Sequence, residues 1–244
     1  MIAIPALGDI VSLATDPLLH EWGVAAALDA RPLDGLGAFA SDAFAAVFAA
    51  RGGSMIHPTA KISPLAHIGP NVVIGPGCIV HEFSTVRHSV LSAGVQIGFG
   101  CEVTHSVIAQ ETRLAHTIHL GHSIVGQSCH LSAQLVIAST HLWCQDMGNP
   151  DREVTIRLAD GTVYGTGLVK FGAILADRVR IAMGVTMGPG VVVGTATVLY
   201  PGVRLAATVL PAGHVVRPAP VSLSVIARCD RVAAEVPVAE NYAI

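Results

Sequence analysis

The chain has 244 residues, enough for one or two domains, and is 52% hydrophobic, 13% charged and 5% aromatic. A chain this apolar buries a large core, which excludes intrinsic disorder, and its net charge of −3 excludes a generally basic nucleic-acid binder or an anionic-membrane binder. The apolar residues are mainly Val, Ile, Leu and Ala, and twelve histidines nearly match the fourteen Lys and Arg.

Residues 1–54 read as an N-terminal helical cap. There is no cationic leader, and Asp9 and Asp16 interrupt the apolar stretch, so a secretory signal is not expected. Residues 16–28 and 34–51 are Ala-rich, open on Asp-Pro and Asp-Gly, and each predicts a short helix. Gly52-Gly53 then breaks the chain before the main repeat.

From Ile62 an aliphatic residue, usually followed by a small one, returns every six residues. Ile68-Gly69, Ile74-Gly75, Val80 and Val86 are in step, and the register slips by one to Leu91-Ser92. It continues through Ile97 and Val103, slips by one to Ile108, runs through Leu114 and Leu120, slips again to Val125, then runs through Leu131 and Ile137. After an interruption it resumes at Leu175, Ile181, Met187, Val193, Leu199 and Leu205. Neither an amphipathic helix nor an alternating strand has this period. It predicts a parallel β-helix over 55–211. Each repeat supplies one short strand and one turn, three repeats make a triangular coil, and the aliphatic residue points inward to stack on the next coil.

The interruption at about 139–168 contains 154–158, the turn Asp160-Gly161 and 162–164, which predict a β-hairpin. An insertion with its own structure in a solenoid carries function or an interface. Residues 212–244 leave the repeat as a tail, with Pro218 and Pro220 before a short helix from about Ser222. Cys78, Cys101, Cys129, Cys144 and Cys229 show no C-x-x-C spacing and are odd in number, so reduced thiols in a cytoplasmic protein are expected. No run of eighteen apolar residues is present, and no membrane span is expected.

His116 follows the inward Leu114 by two residues, which places it on an outward-facing strand position. His105, His122 and Ser139 each follow an inward residue (Val103, Leu120, Ile137) by two, and should form a ladder one coil apart. Three readings of that ladder stand: a polar surface stack, an acceptor-binding site, or a zinc site completed by a neighbouring chain.

The hexapeptide repeat resembles the acyltransferases built on a left-handed parallel β-helix, and the left hand is implied by that resemblance. The segment Arg113-Leu114-Ala115-His116-Thr117-Ile118-His119-Leu120-Gly121-His122-Ser123-Ile124-Val125-Gly126 is similar to the K-x-x-H-x-x-Y-x-G-D-S/A-x-x-G motif of one branch. That branch is the acetyltransferase half of bifunctional glucosamine-1-phosphate N-acetyltransferase/uridylyltransferases. The stretches Lys170 to Leu175 and Met187 to Gly194 look like later coils of their archaeal sugar-phosphate relatives. The resemblance spans roughly 55–218. It implies acetyl-CoA as co-substrate, a homotrimer, and transfer to an amine or hydroxyl of an amino sugar or amine-bearing small metabolite.

Carried over position by position, the resemblance makes His116 the general base, a role that suits a neutral imidazole near pH 7. Arg87 falls where the family binds the acceptor phosphate. The family's Tyr is His119 here, its Asp is His122, its Asn is His130, and its Asn-Tyr pair is Ser139-Thr140. The acceptor set is therefore Arg87, His105, His119, His122, His130 and Ser139, with little turnover of glucosamine 1-phosphate expected. Coenzyme A contacts map to the backbone of Ala133, Met183 and Pro201, with Arg204, and also Arg178, Arg180 and Arg217, available to its phosphates. The nucleotidyltransferase half has no counterpart, so nucleotidyl transfer is not expected. No metal ligand set is assigned, and no nucleic-acid or membrane partner is expected. A second β-helix class, the γ-type carbonic anhydrases, keeps a His-metal lyase open as an alternative, beside a homologue without activity.

Overall fold

The computed structural model describes residues 5–52, 55–158 and 160–218. The chain winds into a three-sided parallel β-solenoid whose faces are sheets of eight, seven and seven short strands. Successive strands visit the first, second and third face in turn, and each pairs in parallel with the strand one rung away, as in Glu102↔His119 and Arg113↔His130. The expected inward residues all stack inside: Ile74, Val80, Val86, Leu91, Ile97, Leu114, Leu131, Leu175, Met187 and Leu199 belong to one buried column. Cys78, Cys101 and Cys129 lie in that column as small apolar side chains. Burial pushes the thiols up, to about 11 at Cys78 and about 12 at Cys129.

A triangular coil must turn three times in each rung, and most of these turns use a left-handed residue. The corner between first and second face uses Phe83, Gly100, Thr117, Gln134, Gly184 and Gly202. The next uses Asn71, His88, His105, His122 and Gly190; the last uses Gly77, Gly94, Glu111, Ser128, Arg178, Ala196 and Gly213. Asn and His tolerate this region better than most side chains. Gly98 is needed for a different reason: a Cβ there would lie 1.4 Å from the Ala115 carbonyl oxygen in the next rung.

The N-terminal segment differs from the expectation in shape and in place. Asp16 caps Pro17–Glu21, and Gly23 at φ 74° separates it from Val24–Leu28. The third helix is Phe39–Arg51, because Gly35 and Gly37 hold positive φ and block helix over the preceding residues. These elements do not close the solenoid end. They pack along the third face, where Leu19, Leu28, Phe39 and Val47 join the outward-facing Val73, Val90, Val107, Ile124, Ile174 and Val192 in a second core. Buried Asp16 ties the segment down: its carboxylate accepts from Leu18 N, Leu19 N, Ser92 Oγ and Gln110 N at 2.6–3.0 Å.

The expected hairpin is present as Thr155–Arg157 against Val163–Gly165, with Ile156 opposite Tyr164. Val154, Ile156 and Tyr164 bury against the same third face. One further strand, Val215–Val216, continues the stack past 211. The expected helix from about Ser222 lies outside the described residues, as does Cys229. Among the described residues no helix is long and apolar enough to cross a membrane.

Candidate functional site

With the third face covered, the chemistry sits on the second face and on the two corners that border it. The outward side chains of that face run in register: Thr85, Glu102, His119, Val136, Thr186 and Arg204 in one row, and Arg87, Thr104 and Gly121 in the row beside it. Arg87 Nη2 donates to Glu102 Oε1 at 2.6 Å, and Glu102 Oε2 lies 3.1 Å from His119 Nδ1. One carboxylate therefore joins a guanidinium and an imidazole across two rungs.

His116 is exposed and lies on the corner between Arg113–Leu114 and His119–Gly121, not on a strand. The strands are two or three residues long, so the chain is already turning at Ala115, with Thr117 left-handed at φ 52°. Backbone register stacks Leu65, Glu82, Phe99, His116, Ala133, Met183 and Pro201 along this edge. Ala133, Met183 and Pro201, the positions expected to meet coenzyme A, share one corner with His116. The carbonyls of Ala133 and Met183 accept from Gly184 N and Gly202 N, and Pro201 has no N–H. Below His116 the edge carries Glu82 and an aromatic pair: Phe83 and Phe99 are 62% and 42% exposed and pack edge to face at 5.5 Å.

The opposite edge carries the histidine ladder. His105 stacks on His122 at 4.5 Å, as expected from their spacing, but the third ring is His88, stacked on His105 at 4.6 Å. His88 follows inward Val86 by two residues, so the rule that found the other two applied to it as well. Asn71 continues the column, its side-chain amide 3.2 Å from His88 Nδ1. Ser139 has no ring to add to the stack. Its carbonyl accepts from Phe171 N at 2.8 Å and closes the neck of the insertion.

Burial, then repulsion from His105 and Lys170, pushes His122 down to about 4. His105 is lowered too, first by burial, then by His88, Arg87 and Lys170. Parallel rings present faces to each other rather than converging lone pairs. No group of three or more His, Cys, Asp or Glu side chains fit to hold a metal occurs among the described residues.

Several expected site residues sit elsewhere. His130 lies on the first face, in register between Arg113 and Arg180, because its strand His130–Leu131 belongs to the eight-stranded sheet. Arg178 is at the third corner, and Arg217 lies over the Tyr200 ring at 5.1 Å. Arg204 is exposed near the end of the second face. Glu102 was not singled out by sequence reasoning; its place 17 residues before His119, one rung, was the available signal.

A family model described as the GMPPB C-terminal domain matches residues 50–146. A search of curated proteins finds no match. Among solved structures, the chain is similar to a mutant perosamine N-acetyltransferase from Caulobacter crescentus in complex with CoA and GDP-perosamine. Identity is 17%, over 63% of this chain and 51% of that one, with a TM-score of 0.29. The chain thus spans about half of that relative's length. It is also similar to UDP-N-acetylglucosamine O-acyltransferase from Moraxella catarrhalis, at 19% identity over 66% of each chain and a TM-score of 0.35. UDP-N-acetylglucosamine acyltransferase from Campylobacter jejuni is 15% identical over 67% of this chain and 68% of that one, with a TM-score of 0.33.

Proposed function

We propose that this hexapeptide-repeat solenoid is an acyltransferase working as a cytoplasmic homotrimer. It moves an acetyl group from acetyl-CoA to an amine, or hydroxyl, of an amino sugar or another amine-bearing small metabolite. The observation that carries the reading is the second face. On it Arg87, Glu102 and His119 are joined, and His116 stands at the corner shared with Ala133, Met183 and Pro201.

In this reading the donor lies along the Ala133, Met183 and Pro201 edge, with its thioester beside His116. The acceptor lies on the second face, its anionic or hydroxyl groups meeting Arg87 and Thr104. His116 serves as base, and backbone N–H groups of the edge face the oxyanion as it forms. A second copy packs against the exposed Phe83 and Phe99 and walls off the corner.

The test is release of coenzyme A thiol from acetyl-CoA in the presence of a panel of amino sugars. His116→Ala should slow it by ~10²–10⁴-fold, the usual worth of a general base. Because the His116 side chain is exposed, the fold should survive. Full activity in that variant removes His116 from the mechanism, and no thiol release with any acceptor defeats the reading.

A further inference from the structure

Glu102 and His119 occupy equivalent positions in adjacent rungs, and their side chains meet at 3.1 Å through Nδ1. The other carboxylate oxygen is held by Arg87 at 2.6 Å, so the carboxylate cannot swing away without breaking an ion pair. With Nδ1–H donated to Glu102, the lone pair of His119 is on Nε2. That atom lies 3.8 Å from the point where a side chain on Gly121 would begin, with the Thr104 methyl 3.4 Å from the same point. The His119 side chain is 44% exposed, so the imidazole can be reached by an incoming group. A carboxylate that fixes the tautomer and orientation of a half-exposed imidazole is the arrangement of an oriented base.

We propose that His119 is a second proton acceptor, set in place by Glu102 as a positioning residue, and that it takes the first proton from an ammonium acceptor. This rests on the acyl-transfer reading above. An amine bound as R–NH3+ must lose one proton before its nitrogen can attack. His119 Nε2 takes that proton and passes it to solvent. The free amine then attacks the thioester carbonyl, the N–C bond forms, and the nitrogen of the tetrahedral intermediate gives its second proton to His116. The C–S bond breaks, and His116 returns that proton to the departing thiolate. The sum is R–NH3+ and acetyl-CoA giving the amide, coenzyme A thiol and one proton. The two imidazoles are three residues apart, one on the donor corner and one on the acceptor face.

The experiment compares two acceptors with acetyl-CoA: an amino sugar, whose amine is protonated at pH 7, and its aminooxy analogue, whose amine is neutral. His119→Ala should slow turnover of the amino sugar by ~10²–10⁴-fold and leave the aminooxy analogue nearly unchanged. His116→Ala should slow both. Equal loss on both acceptors in His119→Ala, or none on either, overturns the proposal.

A wild type that acetylates neither acceptor counts against the acyl-transfer reading itself. The dyad is then decided by ¹⁵N NMR of the whole protein. His119 should be the Nδ1–H tautomer, and Glu102→Leu should shift it toward Nε2–H. A wild-type Nε2–H tautomer overturns the dyad.

Discussion

The His105 ring lies parallel to that of His122, centroids 4.5 Å apart and planes 3° apart. Two cationic imidazoles at that separation repel strongly, and Lys170 adds to the repulsion. Burial first, and this repulsion second, keep His122 neutral when folded down to about pH 4, against 6.5 for a free imidazole.

That difference sets the sign of a pH effect. Between pH 6.5 and about 4 the unfolded chain binds a proton at His122 that the folded chain does not, so stability falls as the pH drops through this window. The total loss is about 3 kcal/mol, at 1.36 kcal/mol per pKa unit. His122→Asn keeps a residue that tolerates the left-handed turn and removes the titration. Urea unfolding of the two proteins at pH 7 and pH 5 should show a smaller pH-dependent loss in the variant. Equal losses would mean that the ladder does not carry the effect.

Asp16→Ala should be the most damaging single change in the N-terminal segment. It removes a helix cap, worth about 1 kcal/mol, and leaves Ser92 Oγ and Gln110 N without their acceptor in a buried setting, about 1–3 kcal/mol more. Hydrogen exchange should show the helices and the third face opening before the rest of the solenoid. Exchange unchanged in all three helices would count against this role.

Gly98→Ala tests close packing of rungs. Its methyl would overlap the Ala115 carbonyl, which itself follows the hydrogen bond from Gly98 N to Leu114 O at 2.9 Å. The expected cost is about 3 kcal/mol or more, at the high end for overpacking. Gly77→Ala meets nothing nearby and carries only the strain of φ 68°. Thermal unfolding should rank Gly98→Ala well below Gly77→Ala, and the reverse order would be inconsistent with these contacts.

The exposed Phe83–Phe99 pair should be an assembly contact. Phe83 holds φ 59°, a costly conformation for a bulky side chain, while most of its surface faces water. Phe83→Asn relieves the strain and removes the apolar surface. Light scattering should report a trimer for the wild type and smaller species for the variant, with far-UV circular dichroism unchanged. A wild-type monomer that turns over substrate would rule the contact out.

Much of this architecture is legible in the sequence, because a solenoid repeats its instructions. Ile74, Val80 and Val86 announce the inward column, and each one-residue slip marks a corner shortened from six residues to five, as from Val86 to Leu91. The histidine ladder sits at those short corners, which is why His105 and His122 fall where the spacing puts them. What could not be read was lateral packing. The valines Val73, Val90 and Val192 look like ordinary strand residues, and nothing local states that the N-terminal helices cover them. Likewise His119 and Glu102 are 17 residues apart, a distance that means contact only once the rung length is known. His116 was placed on a strand because a strict six-residue count hides how short each strand is.

Each short corner pairs its left-handed histidine with a buried serine: His88-Ser89, His105-Ser106 and His122-Ser123. Ser89 and Ser106 each accept, through the hydroxyl, the backbone N–H of the serine one rung on. Ser123 does the same for Ala173, the first strand residue after the insertion, while His122 O receives Gly172 N. The rung below, rather than the loop, thus dictates where the chain must re-enter. Insertions of other lengths, carrying other side chains to the rim of the second face, can be spliced at this corner without disturbing the spiral, so long as they return a glycine and a small residue to the waiting acceptors.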